Sequence, residues 1–309
     1  MNRELKVAVA VLNWNGIFHL EHLMPTLCEA VKVYGKLCPI IILDNRSTEG
    51  DREWLAQHYP QVEVMLAPTN DYLYSYNWLM DNRDEDVVVF LNNDLRVAPD
   101  FLAPLLEHFV DDEVFAVGAK SYDWDGKIVT VGPYHARQHH GWIYFENRTD
   151  LIDVPRPTFF SCGGFMAVSR KKFLKLKGFD PLFRPAYFEE TDLCYRAWQM
   201  GWKVLYDPRS VVFHRENGSI AGRAAQLMAT NHLLFQWKHF RKIQTIIKRY
   251  IYTAYQIRNS SCVVSGMKKQ AYQDACTKWQ TRADSIVRTA LIGYPPIFFE
   301  TIQFERDLL

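Results

Sequence analysis

The chain has 309 residues, of which 48% are hydrophobic and 23% are charged, and its formal net charge is +1. A near-neutral chain of this length can bury a sizeable core, and its overall charge gives no indication of nucleic acid as a partner. No stretch approaches the roughly 18–20 apolar residues of a membrane span, and the first apolar segment is too short for a secretory signal. The six cysteines lack metal-site spacing, so we expect a reduced, cytoplasmic setting.

Four short apolar runs alternate with segments of helical periodicity in the first third of the chain. The apolar runs are Lys6–Leu12, Pro39–Leu43, Val62–Leu66 and Asp86–Leu91. The helical segments between them are Ile17–Tyr34, Arg52–His58 and Leu73–Asp81. Strands and helices that alternate at this interval predict an α/β fold, with a Rossmann-like, mostly parallel central sheet flanked by helices.

Polar segments rich in Asn and Asp follow each of the four runs. They are Asn13–Gly16, Asp44–Ser47, Pro68–Asp71 and Asn92–Asp94. Ligands of such sheets bind beyond the carboxyl ends of the strands, so four polar exits indicate a ligand-binding rim. Neither Gly-x-Gly-x-x-Gly nor Gly-x-x-x-x-Gly-Lys-Ser/Thr follows any of the apolar runs. This removes the main support for a dinucleotide dehydrogenase or a phosphate-loop enzyme. A nucleotide would be bound here by carboxylates, amides and a metal.

The middle of the chain predicts further strands around a glycine pair. We expect β structure around Tyr122–Val131, a polar turn rich in histidine at His135–His140, and a strand over Phe159–Val168. This last segment contains Gly163 and Gly164, and glycine pairs in strands often mark the close approach of a ligand or of another backbone segment.

The last part of the chain changes from strand to helix. The pattern predicts closing strands at Lys203–Tyr206 and Ser210–His214, then helices over Ala224–Tyr255 and Lys268–Leu291. We therefore divide the chain into a catalytic domain over residues 1–221 and a helical C-terminal extension over residues 222–309.

Acidic residues and one histidine suggest a metal-assisted reaction. Asp94 follows a central strand, where a carboxylate can hold a hard divalent cation, although a simple turn is the alternative. Glu189, Glu190 and Asp192 begin a predicted helix, where the helix dipole favours acids, yet one glutamate can also act as a general base. His214 ends a strand, where an imidazole can bind a metal or merely pack.

Seven motifs in this order resemble those of the family 2 glycosyltransferases, enzymes of the GT-A fold that use nucleotide sugars. The motifs are VAVLNWNG, ILDNRSTEGD, the Asn70–Asn77 stretch, FLNNDLRV, FFSCGGFMAVSR, FEETDLCYR with GWKVLYDP, and VVFHRENGS. The chain is most similar to the bacterial rhamnosyltransferase-type branch, which builds surface polysaccharides. The resemblance implies a nucleotide-diphosphate sugar donor, dTDP-rhamnose in this branch, and a glycan or lipid-linked acceptor.

The resemblance also implies roles for individual residues. It implies that the donor is bound by Asn13, Asn15, Asp44, Asn45, Asn70, Asn77, Asn92, Asn93, Asp94, Gly163 and Gly164. It implies Glu190, with Glu189 beside it, as the catalytic base, and Asp94 with His214 as ligands of Mn²⁺ or Mg²⁺.

Three positions depart from the family pattern. Asn92 replaces the first acid of the Asp-x-Asp motif, and Glu190 replaces an aspartate, which leaves open whether Glu189 or Glu190 is the base. The bulky segment Asp71–Tyr76 replaces a small, glycine-containing loop, so the preferred donor is open as well.

One base and no second nucleophile favour a single displacement that inverts the anomeric centre. A catalytically inactive carbohydrate- or nucleotide-sugar-binding relative is an alternative. A sugar nucleotidyltransferase is another, but it needs a loop rich in Gly and Arg after the first strand, which Asn13–Gly16 does not supply. Basic and aromatic residues of the C-terminal helices would suit peripheral contact with the inner face of the cell membrane; packing on the catalytic domain or a homodimer contact are the alternatives.

Overall fold

The computed structural model describes residues 4–139, 142–215 and 224–240, together with residues 270, 271, 274, 275, 277 and 278. The strands are β1 (Val7–Asn13), β2 (Ile40–Asp44), β3 (Glu63–Leu66), β4 (Val87–Asn92), β5 (Leu95–Val97), β6 (Val114–Asp123), β7 (Val129–Val131), β8 (Tyr134–His139), β9 (Trp142–Asn147), β10 (Arg156–Pro157), β11 (Phe165–Ser169) and β12 (Lys203–His214). The α-helices are α1 (Ile17–Tyr34), α2 (Asp51–His58), α3 (Ser75–Asp81), α4 (Leu102–Leu106), α5 (Arg170–Lys175), α6 (Glu189–Gln199) and α7 (Ala224–His239).

A single large sheet runs in the order β10-β12-β6-β11-β4-β1-β2-β3, with β5 paired to β12 and β7 to β6. Strands β3, β2, β1 and β4 are parallel neighbours, and β6 is parallel to β12. Strand β11 lies between these groups and is antiparallel to both of its neighbours. The predicted α/β fold with a mostly parallel central sheet is therefore confirmed, and β4 lies at its centre.

The sheet is covered on both faces, and its strands β1, β2 and β4 are apolar at every position before their last residue. Val9 and Val11 of β1 face one core cluster, which includes Leu20 and Leu27 of α1. Ala10 faces the opposite cluster, which contains residues of α3 and α6. Side chains alternate between the two faces of a strand, so a continuous apolar run contributes side chains to both core clusters.

The turn expected at His135–His140 is wrong over its described part. Strands β8 and β9 form a separate antiparallel hairpin in which Tyr134 pairs with Asn147 and His139 with Trp142. Tyr134 and Ala136 pack against a third core cluster, whereas Arg137 and Gln138 are exposed. The period-two alternation of a half-buried strand was thus hidden by a composition typical of turns.

Two other strand boundaries differ from expectation. The strand expected over Phe159–Val168 begins only at Phe165, and the glycine pair precedes it in a turn. The two closing strands are one strand, β12, whose pairing with β6 is irregular between Asp207 and Val211.

Helix α7 begins where the C-terminal helix was predicted and packs on the rest of the described chain. Its Leu234 and Phe235 join Ile143 of the hairpin and Tyr195 of α6 in the third core cluster. Residues 241–255 of this predicted helix, and nearly all of the helix predicted over Lys268–Leu291, lie outside the described residues. Within the part of the chain that is described, no helix is long and apolar enough to cross a bilayer.

Candidate active site

The carboxyl ends of β1, β2 and β4 are joined by a chain of side-chain hydrogen bonds. Asn93 Nδ2 donates to Asn13 Oδ1 at 2.8 Å, and Asn13 Nδ2 donates to Asp51 Oδ1 at 2.8 Å. Asp51 Oδ1 also accepts from the backbone N–H of Gly16 at 2.6 Å. A Cβ at Gly16 would lie 2.1 Å from Asn93 Nδ2, so only glycine allows this approach. Asn13 and Asn93 therefore shape the rim by binding to each other, and sequence reasoning missed Asp51, although it lies in one of the quoted motifs.

Unsatisfied carboxylate and amide oxygens mark the end of β2. Asp44 is fully buried; its Oδ1 accepts from the backbone N–H of Ser47 at 2.7 Å, while its Oδ2 has no partner among the described residues. Asn45 Oδ1 is likewise buried and without a partner in that part of the chain. Buried acceptors are normally satisfied, so these two atoms fit a ligand that donates hydrogen bonds.

The remaining rim residues are more exposed. Asn15 Oδ1 accepts from the backbone N–H of Thr48 at 2.7 Å, which ties the exits of β1 and β2 together. Asn70 is exposed beyond β3. Asn77 lies away from the rim's open side, because it both donates to the backbone carbonyl of Phe179 and accepts from its N–H, at 2.9 and 2.8 Å. Its contribution is to the fold of the Gly178–Phe179 turn.

Asp94 and His214 form the pair expected for a metal site. Asp94 Oδ2 lies 3.3 Å from His214 Nε2, and Asp94 Oδ1 is buried without a partner among the described residues. An unsatisfied carboxylate oxygen beside an imidazole is a donor set that suits a divalent cation such as Mn²⁺. The residues present therefore fit the metal that the sequence indicated.

Two basic residues beside this pair, Arg215 and His19, were not found from the sequence. Arg215 donates its backbone N–H to the carbonyl of Asp94 at 3.0 Å, and its guanidinium lies 4.4 Å from the ring of Trp124. His19, in the first turn of α1, is near enough that Asp94 and Arg215 both affect its pKa, which burial lowers overall. The one sequence feature that could have indicated Arg215 is its position directly after His214.

A cluster of three potential ligands elsewhere has a different character. Glu107, His108 and Asp207 approach within 4.8 Å of one another, the sole grouping of three or more such residues in the described chain. Arg209 forms salt bridges with both acids, and His108 Nε2 bonds to Asp207 Oδ2 at 2.8 Å. Arg209 thus neutralises part of the negative charge, and all three residues already take part in an ion-pair and hydrogen-bond network.

The glutamate pair lies at the first turn of α6. Glu189 is 3% exposed, whereas Glu190 is partly exposed and its Oε2 is buried without a partner among the described residues. Burial raises the pKa of Glu190 to about 7, and burial together with Glu190 raises the pKa of Glu189. A carboxylate with a pKa near neutrality suits general base catalysis, and the exposure favours Glu190 for that role.

A narrow space beside Glu190 is bounded by the glycine pair and the aromatic segment. A Cβ at Gly163 would lie 3.1 Å from Leu73 Cδ1 and 3.6 Å from Glu190 Cβ, so a side chain would fill this space. The hydroxyl of Tyr74 is buried without a partner among the described residues, and burial followed by Glu189 and Glu190 keeps its pKa far above the usual value. Tyr74 therefore remains a hydrogen-bond donor next to two carboxylates.

Cys162 connects the two ends of the site. Burial, ahead of the effect of Glu190, raises the pKa of its thiol. Its neighbour Gly163 lies so close to Glu190 that an added Cβ would be 3.6 Å from Glu190 Cβ, while the ring of Phe165 lies 6.2 Å from that of His214. Gly164 follows closely, and a Cβ there would lie 2.6 Å from Asn92 Nδ2. The candidate base and the candidate metal ligands thus border one site, with the turn before β11 between them.

Comparisons with known proteins identify the family of the chain. The profile described as Glycosyl transferase family 2 matches residues 14–176, just over half of the chain. An N-acetylglucosaminyl-diphospho-decaprenol L-rhamnosyltransferase of Mycobacterium tuberculosis is 24% identical over 243 residues, which cover 69% of this chain and 77% of that protein. N-acetylgalactosaminyltransferase 6 of Drosophila melanogaster is 27% identical over 197 residues, covering 58% of this chain and 29% of that protein.

Two solved structures share the fold. The crystal structure of GalNAc-T7 with UDP, GalNAc and Mn²⁺ aligns with a TM-score of 0.60 and 17% identity, covering 94% of this chain and 58% of that chain. The mannosyltransferase PcManGT of Pyrobaculum calidifontis, in complex with GDP-Man and Mn²⁺, aligns with a TM-score of 0.53 and 18% identity, covering 96% and 78% respectively. These similarities confirm the GT-A type of fold. The chain belongs to glycosyl transferase family 2, and its similarity to the mycobacterial enzyme places it with the rhamnosyltransferase type of that family.

Proposed function

We propose that this glycosyltransferase is a metal-dependent, inverting enzyme that transfers rhamnose from dTDP-rhamnose to a hydroxyl of a glycan or lipid-linked acceptor. The observation that carries the proposal is that the turn before β11 lies between the partly exposed Glu190, which borders Gly163, and the Asp94–His214 pair, which borders Phe165. The mycobacterial relative, named for rhamnose transfer to a diphospho-lipid saccharide, supports the choice of sugar and acceptor class.

Glu190 is the proposed general base. Its buried Oε2 accepts the proton of the acceptor hydroxyl as that oxygen attacks the anomeric carbon, and burial has raised its proton affinity for this step. Glu189 is too buried to reach an acceptor directly. The Tyr74 hydroxyl, which has no partner among the described residues, is the proposed hydrogen-bond donor to the substrate in the same space.

The diphosphate of the donor is assigned to the other end of the site. Asp94 and His214 would hold the divalent cation, which supplies charge neutralisation to the leaving diphosphate. Arg215 and His19 place further cationic or hydrogen-bonding groups next to Asp94. The nucleotide base is assigned to the end of β2, where Asp44 Oδ2 and Asn45 Oδ1 are buried acceptors without a hydrogen-bond donor among the described residues.

Inversion follows from the number of catalytic carboxylates that can reach the sugar. A double displacement needs a nucleophile on the face of the sugar opposite the acceptor, in addition to an acid–base group. Among the described residues, the two glutamate oxygens that are buried without a partner belong to adjacent residues of α6, Glu189 and Glu190. A single displacement with Glu190 as the base is the mechanism that this arrangement supports.

The proposal extends to where the enzyme works. A lipid-linked acceptor would be met at the inner face of the cell membrane, with peripheral contact through residues 222–309. Lys238 and Phe240 do not take part in that contact, because Lys238 pairs with Asp180 and Asp192 and Phe240 is buried in the third core cluster.

Donor hydrolysis across a panel of nucleotide sugars tests the proposal. We expect dTDP-rhamnose to be consumed in the presence of Mn²⁺ or Mg²⁺ and to be stable when a chelator is added. Asp94→Ala and Glu190→Gln should abolish turnover, while the exposed-site controls Asp125→Ala and Glu113→Gln should retain it.

Three outcomes would contradict separate parts of the proposal. Turnover of a different donor would overturn the assignment of rhamnose. Full activity with chelator would overturn metal dependence, and retention of the anomeric configuration in the product would overturn the single displacement. Failure to bind any nucleotide sugar would favour an inactive relative.

A further inference from the structure

The loop that leads into α6 is held in an unfavourable backbone conformation. Tyr187 has a φ of 72° and Phe188 a φ of 74°, which is the left-handed region, although neither residue is glycine. This region is unfavourable for any residue with a Cβ, so the conformation must be imposed by its surroundings. Because Glu189 and Glu190 follow directly, any relaxation of this loop would displace both carboxylates.

Asn231 of α7 binds the carbonyl groups of this loop. Its side chain is fully buried, and its Nδ2 lies 2.7 Å from the carbonyl oxygen of Phe183 and 2.9 Å from those of Ala186 and Tyr187. The two N–H groups of one amide are thus shared among three backbone carbonyls of the loop. Asn231 Oδ1 in turn accepts from Lys278 Nζ at 3.1 Å.

The end of α7 binds the other side of the glutamate pair. Asp192, in the first turn of α6, accepts hydrogen bonds from Lys238 and from His239 Nε2, the latter at 2.7 Å. Burial, ahead of the opposing effect of Asp192, lowers the pKa of His239 to about 4, so this contact comes from a neutral imidazole. Lys238 Nζ also lies 2.8 Å from Asp180 Oδ2 and thus joins α6 to the segment that precedes the loop.

We propose that Asn231 and Lys238 are positioning residues, which hold the loop over residues 183–188 and the first turn of α6 so that Glu190 meets the acceptor hydroxyl. This inference rests on the proposed function, because it assigns a role to Glu190. It gives α7 a catalytic purpose that is distinct from membrane contact. It also places residues needed for turnover in a part of the chain that the family profile, which ends at residue 176, does not cover.

The contacts predict which kinetic constant changes. Asn231 and Lys238 bond to the loop and to α6, whereas the proposed donor site is formed by β2, Asp94 and His214. Misplacement of a catalytic group by about 1 Å can cost up to about 100-fold in rate without a loss of ground-state binding. A purely structural role would instead lower the amount of folded enzyme and affect donor binding and turnover together.

The experiment compares Asn231→Ala, Lys238→Met and the conservative Lys238→Arg with a control, Met228→Ala, on the exposed side of the same helix. For each folded variant, kcat and KM with dTDP-rhamnose and acceptor, and the Kd of dTDP, are measured. We expect kcat to fall about 10- to 100-fold for Asn231→Ala and Lys238→Met, with the Kd of dTDP unchanged within twofold. Lys238→Arg should recover part of the lost kcat, and Met228→Ala should match the wild type.

Hydrogen exchange gives a readout that does not depend on activity. Peptides covering residues 183–192 should exchange faster in Asn231→Ala than in the wild type, while peptides of β1 and β4 should not change. Unchanged exchange in residues 183–192, or a wild-type kcat in both variants, would overturn the inference. If the wild type itself turns over no donor, the proposed function fails, and the exchange data alone decide whether α7 holds the loop.

Discussion

Asp94 Oδ2 and His214 Nε2 lie 3.3 Å apart, although the two residues are separated by 120 positions in the chain. The register of the sheet explains this proximity. Strand β5 begins at Leu95, and β12 runs antiparallel to it so that His214 pairs with Leu95. The last residue of β12 is thereby brought next to the residue that precedes β5, and both side chains lie beyond the carboxyl end of the central strand β4.

We expect His214→Ala to weaken Mn²⁺ binding without changing the affinity for dTDP measured in the presence of chelator. Asp94→Ala should have a larger effect and lower metal-dependent turnover by about 100-fold or more, because it removes the only anionic ligand of the pair. Titration of Mn²⁺ by electron paramagnetic resonance would measure the loss. Equal Mn²⁺ affinity in His214→Ala and wild type would show that the imidazole is not a ligand.

The pH dependence of kcat/KM should report the ionisation of Glu190. The base must be deprotonated, and burial raises its pKa to about 7, so kcat/KM should rise with pH and level off above about 8. Glu190→Gln should lower activity by roughly 100- to 10,000-fold and remove this dependence. A flat profile between pH 5.5 and 8.5 in the wild type would contradict the assignment of the base.

The raised pKa of Glu190 also predicts an effect on stability. As pH rises from 4.5 to about 7, the unfolded chain loses this proton before the folded chain does, so folding becomes less favourable. We therefore expect Glu190→Gln to increase the free energy of unfolding by roughly 1–3 kcal/mol at pH 8. The difference from wild type should vanish near pH 4, where the carboxyl is protonated in both states; urea unfolding at the two pH values measures it.

Asp192→Asn should destabilise the protein by about 3 kcal/mol, since it leaves the largely buried Arg196 without a carboxylate partner and Lys238 with Asp180 alone. The pKa of Asp192 lies well below its usual value, so this stabilisation is present above about pH 4 and is lost only in strong acid. Thermal unfolding of the variant measures the loss. The exposed Asp125→Asn serves as a control and should remain within about 0.5 kcal/mol of wild type.

Gly164→Ala tests the contact between the turn before β11 and the end of β4. The added methyl would lie 2.6 Å from Asn92 Nδ2, so the variant should lose about 1–3 kcal/mol of stability. The double variant Gly164→Ala with Asn92→Ala removes the obstructing amide and should recover part of that loss. Additive losses in the double variant, measured by urea unfolding, would show that the two side chains do not meet.

The sequence was informative where local pattern and burial coincide. The bounds of α1 were predicted at Ile17–Tyr34, and the four apolar runs agree with β1 to β4 within one residue at each end. Strands β1, β2 and β4 are buried along their length, so their apolar runs are continuous, whereas β3 at the edge of the sheet is mostly exposed. The hairpin of β8 and β9 was missed because β8 is rich in polar residues and histidine, a composition typical of turns, although its Tyr134 and Ala136 pack on the core.

The site was predictable in its ionisable residues but not in their partners. Asp94, His214 and Glu190 could be identified because each belongs to a motif, and the fold brings them to one site. Asp51 and Arg215 were missed because their importance depends on contacts with Asn13 and Asp94 that only the folded chain creates. The role of Asn77 at the Phe179 turn was hidden for the same reason, since 102 positions separate the two residues.

The attachment of α7 to α6 has a consequence for biosynthesis. A ribosome makes the chain from its N-terminus, so Glu190 and Asp94 emerge before Asn231 and Lys238 exist. The sheet can form from earlier segments, but the loop over residues 183–188 acquires its hydrogen-bond donor only when α7 has been translated. Under the positioning role proposed here, a nascent chain would bind its nucleotide before it could transfer sugar, and catalytic competence would be the last property to appear during synthesis.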